Sequence, residues 1–173
     1  MSKYNAFLRW WLIFMVVTVT STVTYLVGGF HYMFSNDSTF ITPAIFGVFY
    51  LASMWCGVST WRLSHALSKN SLDKELFYAI ERQDQTGGLI SSIEMGLGML
   101  GTLVGLLMAT NNFGSLSNTD IANIQKLLSD LGGGSAVALI TTIAGLICSI
   151  LLNIQHFNLN LELQKSHKSE WDK

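Results

Sequence analysis

The sequence predicts an all-α integral membrane protein with four transmembrane helices, on three observations. Hydrophobic residues make up 50% of the chain and charged residues only 12%, a balance too apolar for a soluble core of 173 residues. Four apolar runs, Phe7 to Phe30, Phe40 to Trp61, Leu89 to Ala109 and Ser135 to Phe157, each reach the ~20 residues that a bilayer core asks of a helix. Nine of the ten basic residues flank the N-terminus of the first run or the C-termini of the second and fourth, so the positive-inside bias places both termini in the cytoplasm. A mean hydropathy of +0.40 agrees. The formal net charge of -1 carries no information about nucleic acid, and no nucleic-acid partner is expected.

The first run has Lys3 before it and Arg9 in its first turn, with Tyr4, Trp10 and Trp11 as an inner-interface anchor and Tyr25, Phe30, Tyr32 and Phe34 as the outer one. It is too long for a signal-peptide core and no small-residue cleavage pattern follows, so it is read as a retained helix. Its threonines, from Thr18 to Thr24, hydrogen-bond back to the helix's own carbonyls or across to a neighbour. The connection from His31 to Ile41 holds Asp37 and no Lys or Arg, as an outer loop should. Thr42 and Pro43 suit the cap and first turn of the second helix, where proline lacks only an amide that would have no partner. Residues 1–66 therefore form a transmembrane hairpin.

Residues 67–88 read as a short cytoplasmic helical segment, with Leu67, Leu72, Leu76, Phe77 and Ile80 on a packed face. Residues 89–161 form a second helix pair. Within its loop, Ser117 and Asp120 have the spacing of a capping box, and Ile121, Ile124, Leu128 and Leu131 recur on one face, which predicts a short amphipathic helix at the outer surface. The Gly132, Gly133, Gly134 run should end that helix and turn the chain into the fourth span. Residues 162–173 are a polar cytoplasmic tail. Cys56 and Cys148 lie inside spans and read as small packing residues, and no Cys/His spacing suggests a metal.

The candidate site lies in the second pair. Gly98, Thr102, Gly105 and Ala109 recur on one helical face, and with Gly101 and Gly145 they let another backbone approach closely. Ser135, Thr142, Ser149, Asn153 and His156 form a polar stripe on the fourth span, which belongs in a bundle interior or a pore rather than against lipid. Thr102 and Thr142 fit either pore hydroxyls or ordinary interhelical hydrogen bonds. Glu94, a carboxylate in an apolar run, is either part of an ion pathway or an interfacial acid that snorkels. His156 is either a proton relay or a solvated inner-interface residue.

The Leu-Gly-Thr-x-x-Gly core at Leu100 to Gly105 and the Ala-Leu-x-Thr-Thr-x-x-Gly-Leu core at Ala138 to Leu146 resemble the two pore-helix motifs of the MotA/TolQ/ExbB family. They stand in the right order, each on a spanning helix. The resemblance covers about the last half of the chain and matches Thr102 and Thr142 to the family's pore threonines. Two departures stand out. Glu94 and Met95 occupy the place of an Ala-Pro pair common in relatives, and Val137 stands where ExbB-like relatives carry a glutamate.

The resemblance implies a homopentameric ring subunit of a proton-driven motor in the bacterial inner membrane. It would surround the spanning helices of a partner resembling MotB, TolR or ExbD that carries the proton-accepting aspartate. The ion pathway of such a subunit would use Thr102, Thr142, Ser149, Asn153 and Glu94. The lipid bilayer is its other partner, the transported ion is H⁺, no cofactor is expected, and the chain is not an enzyme. The small cytoplasmic mass after the second span argues against a flagellar role. A self-contained ion channel and a non-conducting four-helix scaffold are the alternatives.

Overall fold

The computed structural model describes residues 5–31, 40–69, 74–111 and 121–171. It is built of four long helices: α1 (Asn5–Leu26), α2 (Ile41–Lys69), α3 (Lys74–Asn111) and α4 (Ile121–Trp171). Each contains a stretch long and apolar enough to cross a membrane, namely Phe7–Leu26, Ile41–Ser68, Lys74–Asn111 and Ile124–Ser166. At one end of the bundle Trp10 of α1, Leu63 of α2, Phe77 and Ile80 of α3, and Leu159 and Leu163 of α4 share one apolar cluster. The start of α1, the end of α2, the start of α3 and the end of α4 therefore lie together, as an up-and-down bundle with both termini on one side requires.

Three features differ from the sequence-based expectation. The 67–88 segment is not an element of its own, because α2 runs to Lys69 and α3 begins at Lys74. Of its predicted packed face, Phe77 and Ile80 are buried, Leu67 and Leu76 pack against their cluster, and Leu72 lies outside the described residues. Second, Ile121 to Leu131 is helical but continues into α4 without a break through Gly132, Gly133 and Gly134. Helix interiors disfavour glycine by about 1 kcal/mol each, but here α3 needs one of them. A side chain at Gly134 would lie 2.7 Å from both Ala109 Cβ and the Gly105 carbonyl oxygen. The Ser117 and Asp120 cap lies outside the described residues.

Third, Trp10 is a core residue rather than an interfacial anchor. It is 8% exposed, and its ring fills the notch left by Gly57 of α2, where a Cβ would stand 2.2 Å from Cζ2. Trp11 is the exposed member of the pair. The threonines of α1 bond back to their own helix, Thr18 to Phe14 O at 2.8 Å and Thr22 to Thr18 O at 2.8 Å. Tyr50 Oη of α2 meets Ser21 Oγ of α1 at 2.8 Å. Gly28, at φ 81° just beyond α1, adopts the left-handed conformation that ends many helices. Otherwise α1 is an outer helix, exposing Leu8, Leu12, Val16, Val19 and Val23.

Candidate functional site in the α3–α4 seam

Helix α3 buries Phe77, Ile80, Asp84, Gly87, Ser91, Glu94, Gly98, Gly101, Gly105 and Ala109. These steps of three and four trace one stripe along the helix, and that stripe faces α4. Its character is the reverse of a soluble helix: small and polar groups lie inside, while Met99, Leu103, Leu106 and Leu107 point outward. In a bilayer, lipid tails accept the outward apolar groups, so close packing and hydrogen bonding hold the interior together.

The outer half of the seam is a backbone-to-backbone contact. A Cβ on Gly98 would lie 3.2 Å from Gly145 Cα, and one on Gly105 would lie 2.7 Å from Ala138 N. Thr141 lies directly over Gly101 and bonds its own helix at Val137 O, 3.0 Å away. The small-residue face of Gly98, Gly101, Gly105 and Ala109 thus packs α3 against α4 of the same chain. At the centre of this contact the hydroxyls of Thr102 and Thr142 hydrogen-bond to each other. One hydroxyl donates to the other, which is left to donate to its own helix; the backbone acceptors within reach are Gly98 O, 3.2 Å from Thr102 Oγ1, and Ala138 O, 2.9 Å from Thr142 Oγ1. Both threonines are half-buried, so the pair reaches the rim of the seam.

The inner half is polar. Glu94 is 0% exposed, pointing into the subunit rather than to an interface, and neither of its carboxylate oxygens has a hydrogen-bond partner. Within the single chain it therefore does not reach the surface, as a snorkelling side chain would. One turn inward, Ser91 Oγ lies 3.0 Å from Ser149 Oγ and 2.9 Å from Ser149 O. Beyond it the ring of His156 fills the space over Gly87, where a Cβ would stand 1.9 Å from Cε1. His156 Nδ1 is 2.9 Å from Asp84 Oδ1, and Asn160 Nδ2 donates to Asp84 Oδ2 at 2.9 Å. His156 is thus a buried, paired residue and not a solvated one.

The predicted stripe on α4 divides. Thr142, Ser149 and His156 meet α3, whereas Asn153 is exposed in the outward row of Leu139, Ile143, Leu146, Ile150 and Phe157. Asp84, Ser91, Thr141 and the buried Gln155–Ser53 hydrogen bond of 2.8 Å are the polar features that sequence reading missed. Extending the Gly98 and Gly105 spacing inward by threes and fours reaches Glu94, Ser91 and Asp84, so the signal for two of them was present. No group of three or more potential metal ligands occurs among the described residues.

The structure defines a multi-pass membrane protein whose third and fourth spans form a small-residue seam with a threonine pair at its rim. A family model for the MotA/TolQ/ExbB proton channel family matches residues 60–170, and the chain belongs to that family. No curated protein and no solved structure matches it.

Proposed function

We propose that the chain is the ring subunit of a proton-driven motor. It is a homopentamer in the bacterial inner membrane, with both termini cytoplasmic, surrounding the spanning helices of a dimeric partner like MotB, TolR or ExbD. Proton movement between ring and partner becomes rotation or force, without covalent chemistry or a cofactor. The observation that carries this reading is the meeting of Thr102 and Thr142, one from each family motif, at the half-buried rim of the seam. Hydroxyls there both donate and accept, as a hand-over of protons to a neighbouring carboxylate needs. The sequence has no aspartate from Leu89 to Ala109 or from Ser135 to Phe157, and the one carboxyl there, Glu94, is buried within the subunit, so the accepting carboxylate is assigned to the partner.

Asn153 supports a ring. A carboxamide exposed within an apolar row on a spanning helix calls for a polar partner from another chain or for water. Native mass measurement of the purified chain in detergent tests the assembly: a pentamer is expected, and a persistent monomer or dimer contradicts it. Proton uptake by vesicles holding the chain with a single-span partner tests the conduction.

A further inference from the structure

The threonine pair leaves the polar inner half of the seam without a stated role, although that half holds a buried carboxyl with no hydrogen-bond partner. Glu94 is fully buried with both oxygens unpartnered. A bare carboxylate in such a place is far more costly than a carboxylic acid. The surroundings also connect it to one end of the bundle. Ser91 and Ser149, paired at 3.0 Å, lie one turn inward. The His156 ring, seated on Gly87, comes next, and its Nδ1 holds Asp84 at 2.9 Å.

The second oxygen of Asp84 accepts from Asn160, whose own oxygen accepts from exposed Gln164 at 2.8 Å. Asn160, Gln164 and Glu81 line an open crevice with about 860 Å³ of empty space. From Asp84 to Glu94 is a rise of about 15 Å along α3, with His156 and the serine pair between them. Besides Glu81 at the crevice, the thiols of Cys148 on α4 and Cys56 on α2 lie beside this line among the described residues, within electrostatic reach of Glu94 and Asp84 respectively.

We propose that Glu94 is a proton-binding site inside each subunit, loaded from the inner end of the bundle through Asp84, His156 and the Ser91–Ser149 pair. A proton passes from group to group and ends on a Glu94 oxygen, and no other bond changes. The inference rests on the chain being a proton-handling subunit, and it adds a store within the subunit to any acceptor on a partner.

Infrared spectroscopy of the full chain reconstituted in lipid tests it. At neutral pH the wild type should show the carbonyl band of a protonated carboxyl, lost in Glu94→Gln and kept, at a shifted position, in Glu94→Asp. On transfer to D₂O the band should move as deuterium replaces the proton. Asp84→Asn and His156→Gln should each slow that exchange by about 10²-fold, the lower end of what a positioned proton-transfer group contributes. Two variants are used so that misfolding of one leaves the other to decide.

A wild-type spectrum identical to that of Glu94→Gln overturns the site, and unchanged exchange in the folded relay variants overturns the route. Neither readout needs a partner or a membrane potential. A missing band in a complex that still takes up protons overturns the Glu94 site alone. A present band in a pentamer that takes up none supports the site and overturns the motor reading.

Discussion

His156 and Asp84 stand 72 residues apart in the chain and 2.9 Å apart in the fold, each about nine-tenths buried. A buried ionisable pair is weak evidence of net stability, but removing one member strands the other. Asp84→Ala leaves both His156 Nδ1 and Asn160 Nδ2 without their acceptor, and should destabilise the subunit by about 3 kcal/mol. Asp84→Asn retains an acceptor for one of them and should cost about 1 kcal/mol. Thermal unfolding of the two variants in one detergent checks the order, and equal losses would mean that the pair does not hold the seam.

The glycine contacts make a sharper prediction. A Cβ on Gly105 meets backbone, at Ala138 N and Gly134 O, rather than the flexible end of a side chain. Gly105→Leu should therefore separate α3 from α4 and lose the folded subunit, at a cost of at least about 3 kcal/mol, instead of selectively blocking assembly. Gly96 lies on the same helix with nothing within 4 Å of its missing Cβ, and Gly96→Ala should unfold no earlier than wild type. Protease resistance in detergent distinguishes the two. A folded, monodisperse Gly105→Leu subunit would show that this face serves another chain.

Gly132 and Gly133 separate a helix from a turn. Both lie inside α4 with open space around the missing Cβ. Gly132→Ala and Gly133→Ala should each stabilise by about 0.5–1 kcal/mol by restricting the unfolded chain. Were these residues a turn that needs positive φ, alanine would destabilise instead, so the sign of the shift in unfolding temperature decides.

That glycine run also marks where sequence reading stopped. The four spans, the small-residue face at Gly98, Gly105 and Ala109 and the two threonine motifs were legible because each follows from local spacing and a bilayer's fixed thickness. The continuity of α4 was not, since three glycines predict a break and only the tertiary contact of Gly134 with Ala109 overrides it. Asp84 was hidden for a different reason. The small-residue spacing of α3 reaches it, but it reads as one more charge after the second span, because no local pattern shows that His156 and Asn160 pair with it. Trp10 likewise reads as an interfacial aromatic until Gly57 provides its notch.

The threonine pair bears most directly on function. Because Thr102 and Thr142 bond to each other as well as to Gly98 O and Ala138 O, either hydroxyl can be lost while the other keeps a backbone acceptor. Valine nearly preserves the shape and deletes the hydroxyl. If the pair only fastens the seam, Thr102→Val and Thr142→Val should each cost about 0.6 kcal/mol, the average for interhelical hydrogen bonds in membranes. The double variant should then cost little more than either single one, since both remove the same bond. Stability would fall slightly and ion-driven activity would persist. If the pair lies on the proton path, the same variants assemble normally and activity is lost in each, because a water-linked hand-over fails when either hydroxyl is missing. The measurement is paired on one preparation: recovery of the complex by size-exclusion chromatography, and proton uptake by vesicles containing it. Assembly with activity lost in both single variants is the expected result, and wild-type uptake in both would remove Thr102 and Thr142 from the path.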